Sequence, residues 1–145
     1  MPFFSTPGFL RVVWFSALYD LIVTAPFAAP WTFEMSRAQL SAINQALGGR
    51  PLPDFEPVQT LFAVLMGSIV MVWAVLRLRG PTVQLGRYDA VGRVLFAFWM
   101  AWAWMQSGAP VLLLFIVPEV AWAVVQGWQV RQKPRDAAFH VDLVR

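Results

Sequence analysis

The chain has no cysteine and a single histidine, His140, in 145 residues. Disulfide frameworks, thiolate zinc sites, iron–sulfur clusters and thiol nucleophiles are thereby excluded. His140 belongs to a polar C-terminal tail, so a serine triad has no base in the apolar part of the chain, and a histidine metal site is unavailable there. Charge is scarce too: Asp, Glu, Lys and Arg together make up 13% of the sequence. With 59% hydrophobic residues and a mean hydropathy of +0.59, that is not the composition of a soluble domain. The net charge of +3 does not indicate nucleic acid, because the basic residues flank apolar runs instead of gathering on a folded face.

What remains is a series of apolar stretches long enough to cross a bilayer. They predict transmembrane helices at 9–31, 58–78, 88–107 and 109–130, with a short interfacial helix at 36–47 between the first two. The expected fold is an all-α integral membrane protein, a four-transmembrane-helix antiparallel bundle. Residues 1–130 would form a single membrane domain, followed by a cytoplasmic tail at 131–145. Asp20 interrupts the first stretch, and no basic cluster precedes it, which argues against a cleaved signal peptide. For the interfacial helix, Ser36 and Gln39 suggest a capping box, Leu40, Ile43 and Leu47 share a face, and Gly48-Gly49 supplies a stop. The turn Ser107-Gly108-Ala109-Pro110 is so short that the helices on either side must be antiparallel neighbours.

Orientation follows from the basic residues. If the N-terminus, the loop at 79–87 and the tail lie on one side, nine of the eleven Arg and Lys residues fall there, and only Arg37 and Arg50 lie opposite. The positive-inside rule makes that side cytoplasmic, with both termini inside. Ten of the eleven basic residues are Arg, beside abundant Ala, Trp, Pro and Gly. Such usage suggests a GC-rich bacterial genome, and hence the bacterial inner membrane.

Two acids lie deep in the apolar stretches: Asp20 in the first and Glu119 in the last. A charge at bilayer depth costs a few kcal/mol and marks a site or a partner. Ser16, Asp20 and Thr24 recur at i, i+4, i+8, and Glu119, Trp122, Gln126 and Gln129 at i, i+3, i+7, i+10, so each acid belongs to a polar stripe. The two stripes are expected to face each other with no basic residue at matching depth, which would leave one acid protonated. Asp89 and Arg93, at i, i+4, are expected to pair within their own helix, the alternative being that Arg93 reaches inward to counter Asp20 or Glu119, and Arg77, Arg79 and Arg87 are expected to act as topology signals. Trp99 and Trp102 can share a face and wall an aromatic pocket. The candidate binding residues are therefore Asp20, Glu119, Thr24, Trp99, Trp102, Trp122 and Gln126. No catalytic residue, cofactor or metal ligand is assigned.

No run of residues forms a diagnostic family motif. In size and span number the chain is similar to the small multidrug resistance transporters, and in its deep carboxylates and tryptophans to the sterol isomerase group. It departs from the first in its long segment at 32–57 and one-sided charge, and from the second in having few acids within the spans. No residue role is transferred from either. The expected function is a non-enzymatic membrane module that binds a lipophilic ligand or a larger membrane assembly. The alternatives are a proton-linked small-solute transporter using Asp20 and Glu119, and a membrane enzyme using the same pair as acid and base on a lipid-soluble substrate. Expected partners are the lipid bilayer, a lipophilic ligand or membrane protein, and a second copy of the chain, with no nucleic acid.

Overall fold

A computed structural model describes residues 4–128 and 130–131. Apart from a two-residue parallel pairing of Phe4–Ser5 with Val130–Arg131, it is all-helical. Helix α1 (Thr6–Thr24) begins where Ser5 Oγ accepts the Gly8 N–H at 3.4 Å, with Pro7 in the first turn, where a backbone donor is not needed. Pro26 then shortens the helix into a 3-10 turn, Ala25–Phe27, so the first apolar helix ends four residues earlier than the predicted Trp31.

Pro30 is the reason. It occupies the first turn of α2 (Pro30–Ala46), where its fixed φ favours a helix start. The interfacial helix thus begins six residues before the predicted Ser36. The Ser36–Gln39 capping box does not form; Ser36 lies mid-helix and its hydroxyl donates to the Thr32 carbonyl at 2.8 Å. The stop is as expected: Gly48 adopts a left-handed backbone, φ 85°, and the Gly49 N–H returns to the Asn44 carbonyl at 2.8 Å. Ile43 and Leu47 are exposed, while Phe33, Ser41 and Asn44 turn inward. Asn44 donates to the Arg50 carbonyl at 2.7 Å and accepts the Val111 N–H at 3.0 Å, and Ser41 accepts the Leu52 N–H at 3.0 Å. Two buried polar side chains therefore staple α2 to the loop after it and to the start of the last helix.

Helix α3 (Pro57–Arg79) follows the predicted second span closely. The next helix, α4 (Val83–Ser107), begins five residues before the predicted Tyr88, because Thr82 Oγ1 caps it by accepting the Leu85 N–H at 3.1 Å. It ends at Gly108, φ 64°. A 3-10 turn, Pro110–Leu112, leads into α5 (Leu113–Gly127), which runs through Pro118 and stops three residues short of the predicted Val130.

Among the described residues, three segments are long and apolar enough to cross a membrane: Thr6–Phe27, Pro57–Arg79 and Pro110–Gly127. The predicted third span is not among them. α4 has the length, 25 residues, but Arg87, Asp89 and Arg93 crowd its first half and three tryptophans lower its hydropathy. As the short turn requires, α4 and α5 pack along each other; α1 packs along α3 and touches α4 and α5. Helices α3 and α4, joined by only residues 80–82, do not pack along their length.

Gly67 fixes the close approach of α3 to the end of α1, since a Cβ there would lie 2.5 Å from the Phe27 carbonyl oxygen, whereas a Cβ on Gly92 would meet nothing within 4 Å. Gly67→Leu should cost about 1–3 kcal/mol through overpacking. Gly92→Ala should be neutral or stabilise by about 0.5–1 kcal/mol through helix propensity. Thermal unfolding in detergent checks the contrast; equal shifts for both would contradict this packing.

Candidate functional site

The inward stripes of α1, α3 and α4 each carry charge. Along α1, Phe9, Val13, Ser16, Ala17 and Asp20 are buried; along α3, Gly67, Ala74 and Arg77; along α4, Gly86, Asp89, Ala90, Arg93 and Ala97. Small residues dominate these stripes and bring the backbones close. Their polar members meet in one cluster with Glu119 of α5.

Asp89 is its best-satisfied member. Its Oδ2 forms an ion pair with Arg77 Nη1 at 2.6 Å and accepts from Arg93 Nε at 2.9 Å, and its Oδ1 accepts from Trp73 Nε1 at 2.9 Å. Asp20 Oδ2 lies between the same two arginines, 2.5 Å from Arg77 Nη2 and 2.6 Å from Arg93 Nη2. Arg93 Nη1 reaches Glu119 Oε2 at 2.9 Å. Ser16 Oγ accepts from Arg77 Nη1 at 3.2 Å and from Gln126 Nε2, and the Arg93 guanidinium carbon stands 6.0 Å from the Trp122 ring centre. Arg77 is 0% exposed and Arg93 3%. Taking an ion out of water costs several kcal/mol even after relaxation, so two guanidiniums are held here only because each has two or three carboxylates in contact.

This corrects the sequence reading at its central point. Asp20 and Glu119 do have basic partners at their own depth, and one guanidinium, Arg93, connects them. Arg93 makes the expected i, i+4 contact with Asp89 and also reaches across to α1 and α5. Arg77 is a buried partner of Asp20 and Asp89, not merely a topology signal. The premise of a protonated pair without counter-ions, on which the proton-linked and acid/base alternatives stood, is removed.

Above the cluster lies a cavity of about 620 Å³, within the size range of small-molecule sites. Asp20, Asp89, Arg93 and Glu119 line its polar end, and Phe27, Phe96, Trp99 and Phe115 its apolar walls, with Leu40 of α2 also in the lining. Met66 of α3 and Tyr88, Phe96 and Trp99 of α4 line it yet are exposed, so the cavity opens sideways between these two helices. Gly92 lines it as well, and its missing side chain leaves open space there.

Of the residues singled out in the sequence, Asp20, Glu119, Thr24 and Trp99 line this cavity. Trp102 does not; it is 51% exposed and meets Trp99 edge-on, with ring centres 6.4 Å apart. Trp122 packs beside Arg93 and Tyr19 outside the lining, and Gln126 is fully buried against Ser16. Gln129 and residues 132–145, with His140, lie outside the described residues. Sequence reasoning missed Trp73, Arg77 and Gly92. The small-residue stripe of α3 carried a signal for Arg77, since Gly67, Ala74 and Arg77 recur at i, i+7, i+10. Among the described residues, no group of His, Cys, Asp or Glu is placed to hold a metal ion.

Compared with protein-family models, curated proteins and solved structures, the chain matches none.

Removing Arg93 would leave Glu119 without its counter-ion in an apolar interior and Asp20 with Arg77 alone. Arg93→Met should therefore destabilise the protein by about 3–5 kcal/mol, the usual range for breaking one side of a buried ion pair. Arg93→Lys should not restore it, because a single ammonium cannot replace a planar fork that reaches three carboxylates. Unfolding of both variants in detergent tests this, and a lysine variant as stable as wild type would contradict the geometry.

Proposed function

We propose that this chain is a bacterial inner-membrane protein with four spanning helices, α1, α3, α4 and α5, and both termini cytoplasmic. Its function on this reading is non-enzymatic: it binds a lipophilic ligand that enters from the bilayer between α3 and α4. The observation that carries the reading is the cavity itself, apolar along its walls, charged at one end and open at the α3–α4 seam. An amphiphile is the class of molecule that fits such a gradient, and a site reached from the lipid needs no water-filled path.

Four crossings, instead of three, are supported by the pairing of Phe4–Ser5 with Val130–Arg131. Segments that pair lie on the same side, and that requires an even number of crossings. Of the charges that lower the hydropathy of α4, Asp89 and Arg93 are paired inside the cluster, where lipid does not meet them, and Arg87 donates to the Gly127 carbonyl at the end of α5. Helix α2, with exposed Trp31, Ile43 and Leu47 on it, suits the outer interface, where amphipathic helices and tryptophans concentrate. A larger membrane assembly, or a second copy of this chain, would sit against the exposed apolar faces without using the cavity.

Two measurements test this. Reporter fusions after Gly49, Gly80 and Arg145 should report outside, inside and inside; an outside signal at Gly80 would overturn the orientation. Gly92→Phe should fill the cavity without meeting neighbouring atoms at its Cβ. Native mass spectrometry of gently extracted wild type should show a co-purifying lipophilic molecule, absent from a folded Gly92→Phe variant. Equal occupancy in both would sink the cavity as the binding site.

A further inference from the structure

The charges around the cavity do not balance. Asp20, Asp89 and Glu119 contribute three negative charges and Arg77 and Arg93 two positive ones, so the ionised cluster carries one net negative charge. Only Arg93 of the two arginines lines the cavity. All three of its nitrogens are engaged: Nε with Asp89, Nη1 with Glu119 and Nη2 with Asp20. An anionic headgroup would find little donor capacity there and an unfavourable net charge.

The acceptor side is incomplete in the opposite sense. Asp89 has both oxygens occupied. Asp20 and Glu119 each present only Oδ2 or Oε2 to an arginine; among the described residues Asp20 Oδ1 and Glu119 Oε1 have no hydrogen-bond partner. Asp20 is 8% exposed, so its Oδ1 is an unpartnered oxygen on a buried side chain that lines the cavity. The lining also includes Tyr19, Tyr88 and Trp99, rings of the kind that attract cations, most strongly where water is excluded, while the Trp73 ring is already faced by Arg77, 5.6 Å from its centre.

Resting on the binding function proposed above, we infer that the ligand is a monocationic amphiphile, its ammonium group between Asp20 Oδ1 and Glu119 Oε1 and its hydrocarbon along Phe96 and Trp99. One positive charge brings the cluster to neutrality and supplies the donors the two oxygens lack. A hydroxyl headgroup would supply a donor but no charge. A proton taken up by the cluster would supply the charge with no ligand, and would leave charged and uncharged amphiphiles equivalent.

The test uses the full chain in nanodiscs of phosphatidylcholine, with binding to empty nanodiscs subtracted. Octylammonium, octanol and octyl sulfate are titrated calorimetrically, with methylammonium as a headgroup-only probe. Octylammonium should bind saturably and at least about tenfold tighter than octanol, a preference within reach of one cation–π contact and one buried charge. Octyl sulfate and methylammonium should bind weakly. Glu119→Gln, which keeps an acceptor for Arg93 and removes the net charge, should abolish the preference for the cation over octanol. Equal binding of the cation and octanol, preference for the sulfate, or a preference that survives Glu119→Gln would each overturn the inference and leave the cavity's binding role standing. Saturable binding of none of the probes would remove that binding role and this inference with it.

Discussion

Two guanidinium groups held in an apolar interior are the constraint on which the structure depends. Each would cost several kcal/mol if left unpaired, and each is paired only because four helices converge at one point. Asp20 comes from α1, Arg77 from α3, Asp89 and Arg93 from α4 and Glu119 from α5. No two of these helices could satisfy the set alone. The cluster therefore fixes rotation and depth for every helix at once, which nondirectional packing of Leu, Val and Ala against lipid-like surroundings does poorly. Asp89 stands at its centre, with contacts to both arginines and to Trp73.

The fold was legible in the sequence where it depends on local chemistry. Apolar run length located α1, α3 and α5, the short turn at 107–110 made α4 and α5 neighbours, and Gly48-Gly49 ended α2. Boundaries failed where two start signals competed: Pro30 outranked Ser36, and Thr82 opened α4 ahead of Tyr88. The site was half legible. Periodicity set Ser16, Asp20 and Thr24 on one inward face, and all three are buried or line the cavity. Arg77 was misread because proximity to a basic loop and burial in a cluster look alike in one dimension. Only the third dimension brings its guanidinium back toward Asp20, since a long side chain can reach more than a turn from its own Cα. Trp102 failed for a simpler reason: sharing a helix face with Trp99 does not specify which of the two meets the neighbouring helix.

Gly92 and the α3–α4 seam were beyond sequence reading for a different physical cause. A cavity is an absence, set by where neighbouring elements fail to pack, and its volume depends on angles between helices that no single stretch encodes. Consecutive helices joined by a short loop are usually neighbours. Here α3 packs along α1 and α4 along α5 instead, and the cavity lies where residues of α3 and α4 both line it.

The seam between α3 and α4 is bounded by polar contacts at its two ends. At the end near residues 80–82, Trp73 and Arg77 of α3 bond to Asp89 of α4, so the seam cannot widen there. At the other end, Asn44 of α2 bonds both to the Arg50 carbonyl and to the Val111 N–H, and Arg37 reaches Asp54 at 2.7 Å, so α2 is tied to the approach to α3 and to the start of α5. Between these contacts the facing residues are Met66, Val70, Phe96 and Met100, which offer dispersion contacts to a guest but no hydrogen bonds to each other. A ligand entering along the seam would break no polar contact at either end, and the apolar contacts it made would replace contacts with lipid of similar strength. Selectivity must then come from the cluster, where a headgroup without a donor leaves Asp20 Oδ1 and Glu119 Oε1 without a partner.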